Sequence, residues 1–230
     1  MCQDKAQAKF MFKLVIFDLD GTLLDTMEDL TNAVNHALTA CGCRTIQIDE
    51  CRKLVGHGVR NLLRSALTDE MRTDEMLEKM AEHFFPYYNA HMSDYTKPYS
   101  GIPETLKTIA SKGIKLAVAS NKFHAGTEEL IGKFFGDINF VKVLGQREGF
   151  PIKPDAGVVL EIMEAADGLR PEEVLYCGDS DVDMQTGNNA GVRTLGVTWG
   201  FRSRDQLLAH NPWKLIDNTS EICDIVFGDK

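Results

Sequence analysis

Two aspartates separated by a single leucine follow a short apolar run near the start of the chain. Residues 13–26 read KLVIFDLDGTLLDT, in which Asp18 and Asp20 end the run and a Gly-Thr pair follows them. Side chains at positions i and i+2 of an extended chain point to the same side, so both carboxylates can face one bound group. Two anions this close repel each other, and a divalent cation that prefers oxygen ligands, such as Mg²⁺, relieves the repulsion. The pair therefore indicates cation binding or acid/base chemistry.

A second acidic cluster follows another apolar run. Residues 173–191 read EVLYCGDSDVDMQTGNNAG, with Asp179, Asp181 and Asp183 directly behind the run. If the two runs are neighbouring strands of a parallel sheet, their carboxyl ends meet at one edge and the acids share a crevice. Taken alone, the cluster fits a solvated turn with helix-capping aspartates equally well. Together, the two clusters predict a site for a hard cation.

Two further segments carry groups that a phosphoryl group would need. Residues 114–122 read IKLAVASNK and end with Ser120, Asn121 and Lys122, which offer a hydroxyl and backbone N–H donors. Residues 149–157 read GFPIKPDAG and place Lys153 just before Pro154, a residue that can start a helix. A lysine there could neutralise charge on a transferring phosphoryl group. Singly, Ser120 is a common strand-end residue and Lys153 an ordinary surface lysine.

The elements that must position these residues alternate along the chain. Continuous apolar runs predict strands buried on both faces, and periodic segments between them predict helices. The strand-like runs are 13–17, 114–120, 138–145, 173–178 and 193–199, and the helical patterns are 103–111, 124–135, 154–166 and 183–190. Such alternation is typical of an α/β fold with a doubly wound parallel sheet, in which functional groups gather beyond the carboxyl ends of the strands.

The alternation breaks once, between Leu24 and about Pro98. Successive segments there carry apolar residues at three- and four-residue spacing, with no convincing strand between them. We therefore expect a core formed by 1–24 and 98–230, and a small all-helical lid at 25–97 inserted after the first strand. The alternative is that these helices extend the core, since the sequence does not show two separate hydrophobic centres.

The quoted motifs, taken in order, resemble those of a known family. DLDGT, SNK, KP and GDSDVD look like the four motifs of the haloacid dehalogenase superfamily of phosphatases. The helical insert resembles that family's cap domain, and the motifs span most of the chain. Within the superfamily, the chain is most similar to phosphoglycolate phosphatases. The resemblance implies a Rossmann-like core and a magnesium-dependent phosphatase acting on a small phosphorylated metabolite, foremost phosphoglycolate.

The resemblance also implies roles for single residues. Asp18 would be the nucleophile that forms an aspartyl-phosphate, and Asp20 the general acid/base. Ser120 and Lys153 would hold the phosphoryl oxygens. The metal ligands would be Asp18, the backbone carbonyl of Asp20, Asp179, and Asp183 either directly or through water. The residues expected to contact the substrate are Gly21, Thr22, Asn121, His57 and Arg60.

His57 and Arg60 belong to a Gly-x-Gly segment of the helical insert. Residues 54–63 read LVGHGVRNLL, where Gly56 and Gly58 flank His57. The segment looks like the substrate loop of phosphoglycolate phosphatases, and Arg60 could hold a carboxylate or a second phosphate. A joint between two helices uses the same glycines for its turn, and Arg60 would then face solvent.

Composition excludes several other classes of protein. The formal net charge of −9 and the absence of a Lys/Arg block argue against nucleic-acid binding. The six cysteines form no CxxC pair and no zinc-finger spacing, which indicates reduced thiols. No run approaches the ~18 apolar residues of a membrane span, and no leader segment stands at the N-terminus. We therefore expect a cytoplasmic protein without membrane partners, either a monomer or a homodimer.

Three alternatives share this chemistry. A sugar phosphomutase resembling β-phosphoglucomutase would return the phosphoryl group to a substrate hydroxyl, and an inorganic pyrophosphatase would use the same motifs. A receiver-like signalling domain also accepts a phosphoryl group on a doubly wound sheet, but it needs neither Asp20 nor a large lid. A dehalogenase is disfavoured, because Asp20 and the acids of GDSDVD suit phosphate and magnesium.

Overall fold

Six parallel strands form the centre of the molecule in a computed structural model that describes residues 12–228. These strands are β1 (Leu14–Phe17), β4 (Lys115–Phe123), β5 (Phe140–Gln146), β6 (Val174–Gly178), β7 (Arg193–Val197) and β8 (Lys214–Ile216). Their order in the sheet is β5-β4-β1-β6-β7-β8. Phe17 at the end of β1 pairs with Val118 of β4 on one side and with Cys177 of β6 on the other. The carboxyl ends of these three strands therefore lie side by side.

Helices cover both faces of the sheet. Those that begin after residue 100 are α5 (Ile102–Ser111), α6 (His124–Phe135), α7 (Gly157–Ala165), α8 (Asp181–Asn189), α9 (Arg204–Leu208) and α10 (Glu221–Phe227). Alternate residues of β1 belong to two different clusters of buried hydrophobic side chains, because successive side chains of a strand point to opposite faces of the sheet. Val15 and Phe17 belong to one buried cluster, and Leu14 and Ile16 belong to the other. This double burial explains the continuous apolar runs in the sequence.

Four α-helices lie between residues 26 and 96, within the long connection from β1 to β4. They are α1 (Met27–Ala40), α2 (Ile48–Leu54), α3 (Val59–Ala66) and α4 (Asp74–His91). The chain enters this segment through β2 (Leu24–Asp25) and leaves it through β3 (Lys97–Pro98), and the two short strands pair antiparallel. The buried Asp29 carboxylate of α1 accepts hydrogen bonds from the backbone N–H groups of Tyr95 and Thr96. These hydrogen bonds connect the start of the helical segment to the residues just before β3.

The helical segment and one face of the sheet share a single hydrophobic cluster. It joins Phe17 and Val118 of the sheet to Leu30, Leu62 and Tyr88 of the segment. The all-helical character expected for this part of the chain is confirmed apart from the β2–β3 pair. The division into domains at 24/25 and 97/98 stays a prediction.

The structure differs from the sequence expectations mainly at short elements. β8 was not predicted, because a three-residue strand after Trp213 shows no apolar run. α8 begins at Asp181 and not at 183, because the Ser180 hydroxyl accepts a hydrogen bond from the Asp183 N–H and caps the helix. α7 begins at Gly157, three residues after Pro154.

No helix within residues 12–228 is both long and apolar enough to cross a membrane. The cysteines in this range, at 41, 43, 51, 177 and 223, are all free thiols. The cellular location stays a prediction.

We expect the two leucines Leu116 and Leu160 to differ sharply in their contribution to stability. Leu116 of β4 is fully buried, whereas Leu160 of α7 is 51% exposed. Leu116→Ala removes packed methyl groups from the sheet and should lower the free energy of unfolding by about 2 to 5 kcal/mol. Leu160→Ala makes the same chemical change at the surface and should stay within about 0.5 kcal/mol of the unmodified protein. Urea denaturation measures both, and equal losses would contradict the assigned core.

Candidate active site

A crevice lies beyond the carboxyl ends of β1, β4 and β6. The sheet side supplies its polar lining, and α1, α3, α4 and the loop after α2 face it from the opposite side. The polar lining residues from the sheet side include Asp18, Asp20, Ser120, Asn121, Lys122, Lys153, Asp179 and Ser180. Motifs that are far apart in sequence therefore meet because the sheet order places their strands next to one another.

Three buried carboxylates lie together at this crevice, and two of them, Asp18 and Asp179, line it. Each of Asp18, Asp179 and Asp183 offers an oxygen, and the three oxygens lie within 4.8 Å of one another. Burial, and next the nearby Asp183, raise the pKa of Asp18 to about 7, although Lys153 lowers it. Burial, Asp183 and Asp18 also raise the pKa of Asp179 well above its usual value. Carboxylates that are this close together and shielded from solvent favour the binding of a divalent cation, and a set of ligands that are all oxygen atoms suits Mg²⁺.

Lys153 is the cation at the centre of this group. Its Nζ lies 2.8 Å from Asp18 Oδ1 and 2.7 Å from Asp183 Oδ1. It also donates to the carbonyl oxygen of Ala119 at 3.0 Å and contacts the Tyr176 hydroxyl at 3.1 Å. Burial alone lowers the pKa of Lys153, but Asp18 and Asp183 outweigh burial and raise it well above its usual value. The side chain is therefore a permanently charged ammonium in a fixed position.

The Gly-Thr turn after Asp20 positions Asp179. The Thr22 hydroxyl donates to Asp179 Oδ1 at 3.0 Å, and the backbone N–H of Phe201 donates to Asp179 Oδ2 at 2.7 Å. Gly21 has φ +85°, and a Cβ atom there would overlap the Asp179 carboxylate. The sequence predicted that Gly21 and Thr22 contact the substrate, whereas in the structure both pack against Asp179.

Two aspartates of the second acidic motif, Asp183 and Asp181, make different contacts. Asp183 Oδ2 accepts hydrogen bonds from the Ser180 N–H at 3.0 Å and the Ser180 hydroxyl at 2.6 Å, while Oδ1 contacts Lys153. Asp183 thus caps α8 and also belongs to the acidic group, so the two interpretations of the motif do not exclude each other. Asp181 instead pairs with the Arg202 guanidinium, whose Nε lies 3.3 Å from Asp181 Oδ1.

Asp20 lies at the edge of the crevice next to a buried lysine. The Lys122 Nζ is 3.3 Å from Asp20 Oδ1, donates to the Tyr88 hydroxyl, and lies 4.6 Å from the centroid of the Tyr88 ring. Burial alone lowers the pKa of Lys122, but Asp20 and Tyr88 outweigh burial and raise it. The Ser120 hydroxyl accepts from the Lys122 N–H at 3.2 Å. The sequence suggested Lys122 only as part of a segment that offers backbone N–H donors and did not suggest Tyr88, since a sequence does not reveal which lysine side chain is buried.

Asn121 connects the helical segment to the sheet. Its amide nitrogen donates to the carbonyl oxygens of Gly56 at 2.9 Å and Lys153 at 3.0 Å, and its oxygen accepts from the Lys153 N–H at 2.9 Å. The side chain expected to bind substrate is therefore engaged with two loops. Arg202 reinforces the same connection by donating to the carbonyl oxygens of Arg52 at 2.8 Å and Val55 at 2.7 Å. Only the three-dimensional structure could reveal Arg202, because it matches none of the motifs.

The Gly-x-Gly loop reaches the crevice through its glycines. Gly56 and Gly58 line the crevice, and their φ angles of +127° and +79° are ones that residues with side chains rarely adopt. The predicted substrate ligands His57 and Arg60 are not among the lining residues. His57 is exposed, and Arg60 pairs with Glu78 of α4 on the outer surface with 60% of its side chain accessible. The structure therefore does not bring Arg60 to the other predicted site residues.

Comparison with known proteins agrees with this architecture. The family model of haloacid dehalogenase-like hydrolases matches residues 15–197. The chain is 37% identical over 193 residues to a phosphoglycolate phosphatase of Aquifex aeolicus, covering 82% of this chain and 86% of that protein. It is 34% identical over 220 residues to a phosphoglycolate phosphatase of Psychrobacter arcticus, covering 92% of this chain and 94% of that protein.

A solved structure extends the likeness to three dimensions. The crystal structure described as a predicted phosphoglycolate phosphatase from Haemophilus somnus superposes with a TM-score of 0.87 at 26% identity, and the match covers 94% of this chain and 98% of that one. The sequence match, the six-stranded parallel sheet and the acidic crevice agree with one another. The chain therefore belongs to the haloacid dehalogenase-like hydrolases and is a phosphoric monoester hydrolase similar to phosphoglycolate phosphatases.

Proposed function

We propose that the protein is a Mg²⁺-dependent phosphatase that hydrolyses phosphoglycolate through an aspartyl-phosphate on Asp18. The observation that carries the proposal is the position of Asp18 at the end of β1, where it lines a crevice and lies 2.8 Å from the Lys153 ammonium. The substrate is taken from the phosphoglycolate phosphatases among the relatives.

The acidic group suits a bound magnesium ion. Asp18, the backbone carbonyl of Asp20 and Asp179 would hold the ion, with Asp183 close by or linked through water. Three ionised carboxylates and the single ammonium of Lys153 leave two negative charges, which a divalent cation balances. When bound, the ion supplies positive charge that lowers the repulsion between an attacking carboxylate and an anionic phosphate.

In the first step, a carboxylate oxygen of Asp18 attacks phosphorus and the bond from phosphorus to the ester oxygen breaks. Asp20 donates its proton to the leaving oxygen, so that glycolate departs as a neutral alcohol group. Lys153 and the Ser120 hydroxyl bind the phosphoryl oxygens and stabilise charge on them. Because the Lys153 ammonium is held in place by buried partners, little reorganisation is required when the charge develops.

In the second step, water attacks phosphorus of the aspartyl-phosphate. Asp20, now a carboxylate, accepts a proton from that water, and the bond from phosphorus to Asp18 breaks. Inorganic phosphate leaves and both carboxyl groups return to their starting states. We further propose that residues 25–97 act as the cap that excludes bulk water, a role supported by the contacts of Asn121 and Arg202 with the loop after α2.

The proposal predicts a substrate preference that a panel of phosphorylated metabolites can test. With Mg²⁺ present, kcat/KM for phosphoglycolate should exceed that for sugar phosphates, nucleotides and pyrophosphate by at least about tenfold. Released inorganic phosphate is the readout for hydrolysis. A sugar phosphate that is isomerised without phosphate release would favour the mutase, and pyrophosphate as the best substrate would favour the pyrophosphatase.

Asp18→Asn should lower kcat by at least about 10⁴-fold, because it removes the attacking charge at nearly constant volume. Circular dichroism should show an unchanged fold. The matched control is Asp137→Asn, where the side chain is 62% exposed and pairs with Lys107 on the surface. Steady-state kinetics measures both variants, and turnover of Asp18→Asn within about tenfold of the unmodified protein would remove Asp18 from the nucleophile role.

Asp179→Ala should raise the Mg²⁺ concentration for half-maximal activity by at least about tenfold or abolish activity, because it removes a proposed ligand. Asp181→Ala should leave that concentration unchanged, since Asp181 faces Arg202. Thermal unfolding gives a second readout, because a bound ion stabilises the folded state. Added Mg²⁺ should raise Tm for the unmodified protein and Asp181→Ala but not for Asp179→Ala. Full activity after exhaustive chelation would contradict the metal assignment.

A further inference from the structure

One of the basic side chains that line the crevice makes only long contacts with its carboxylate partner and could bind an additional anion. Among residues 12–228, three basic residues line the crevice: Lys122, Lys153 and Arg202. Lys153 is surrounded by two carboxylates, a carbonyl and a hydroxyl. Arg202 is occupied by two backbone carbonyls and Asp181. Lys122 is different, because its partners leave its hydrogen-bonding capacity partly unused.

The distances from Lys122 to its partners show that it could form a stronger contact with another anion. Its Nζ lies 3.3 and 3.5 Å from the two oxygens of Asp20, whereas a well-formed ammonium–carboxylate hydrogen bond is about 2.7 to 2.9 Å long. The other partner is the Tyr88 hydroxyl, which accepts one N–H. An ammonium has three N–H donors, and a phenol that accepts a hydrogen bond can still donate its own O–H. A carboxylate in the crevice could therefore accept from both groups.

The position of Lys122 suits a short substrate. Ser120 and Lys122 both line the crevice and lie two residues apart on β4, which separates their Cα atoms by at most about 7 Å. Ser120 belongs to the part of the crevice proposed for the phosphoryl group. A phosphoryl group at Ser120 and a second anionic group at Lys122 would therefore bind next to neighbouring positions of one strand.

The surroundings strengthen a charge pair at this place. The Lys122 side chain is only 2% exposed. Leu30 and Leu62 line the same crevice from α1 and α3. Electrostatic attraction is stronger in such a poorly solvated environment than at the surface. Arg60, the residue that the sequence suggested for a second anion, is paired with Glu78 on the outer surface instead.

We propose that Lys122, assisted by the Tyr88 hydroxyl, is the specificity-determining residue that binds the carboxylate of the substrate. This inference rests on the proposed function, since it assumes that the phosphoryl group lies at Asp18 and Lys153. The enzyme then selects phosphomonoesters of short carboxylic acids. Because Tyr88 is part of α4, the bound carboxylate contacts the helical segment and the sheet together.

Two substrates of similar size test the proposal. They are phosphoglycolate and 2-hydroxyethyl phosphate, in which a neutral alcohol replaces the carboxylate. Lys122→Met removes the charge and keeps an unbranched side chain. It should lower kcat/KM for phosphoglycolate about 10- to 150-fold more than for 2-hydroxyethyl phosphate, as expected for the loss of one charge-assisted contact. The additional loss should appear mainly in KM, since the carboxylate is bound equally in the ground and transition states.

The matched control is Lys107→Met, since Lys107 also pairs with a carboxylate, Asp137, but lies on the surface with 58% of its side chain exposed. Its kinetics should be unchanged with both substrates. If Lys122→Met does not fold, the two substrates can be compared in the same way with Lys122→Gln, which has a neutral hydrogen-bonding side chain. The unmodified enzyme supplies an independent measurement, because it should prefer phosphoglycolate to 2-hydroxyethyl phosphate by at least about tenfold.

Other outcomes overturn the inference in distinguishable ways. An equal loss of kcat with both substrates would mean that Lys122 only positions Asp20. No loss with either substrate, or an unmodified enzyme that hydrolyses both equally well, would show that Lys122 binds no carboxylate. If the unmodified enzyme hydrolyses other phosphomonoesters but not phosphoglycolate, the proposed function fails and the inference fails with it.

Discussion

The buried ammonium of Lys153, held 2.8 Å from Asp18 and 2.7 Å from Asp183, is the contact around which the site is organised. An isolated charge of either sign would be costly to bury, so the ammonium and the carboxylates each require the other. Burial raises the pKa of Asp18 and Asp179, and the imbalance between three carboxylates and one ammonium raises it further. The same imbalance provides an environment in which a divalent cation is stabilised. The proposed anion binding and the proposed metal binding would thus be two consequences of one arrangement of charges.

The strand order makes that arrangement possible. β1 lies between β4 and β6, so the residues that follow each strand meet at one edge, although β4 and β6 begin 101 and 160 residues after β1 in the chain. Local turns then determine the positions of the acidic side chains in the site. The Gly21 turn leaves space for the Asp179 carboxylate, and the Ser180 cap orients Asp183. Both devices are visible as motifs in the sequence because they require particular residue types at fixed spacing.

The parts of the structure that sequence reasoning predicted are those encoded locally. The long apolar strands, the helical insert and the acidic motifs each have a pattern within a few consecutive residues. The side-chain roles of Lys122, Tyr88 and Arg202 were missed because they depend on long-range contacts that no local pattern reports. Arg60 illustrates the opposite case, since its spacing suggested a ligand while the fold turns it outward to Glu78. Asn121 belongs to a recognised motif, yet its amide connects two loops.

The crevice contains two buried lysines whose environments suit different tasks. Lys153 has four polar partners, two of them carboxylates within 2.8 Å, and such a preorganised ammonium can stabilise developing charge without rearrangement. Lys122 has a distant carboxylate and one phenol, so it can exchange a weak contact for a stronger one when an anion arrives. Binding there would also loosen the hold of Lys122 on Asp20, the group proposed to transfer protons. Recognition of the substrate and release of the acid/base for catalysis would then be coupled through one side chain.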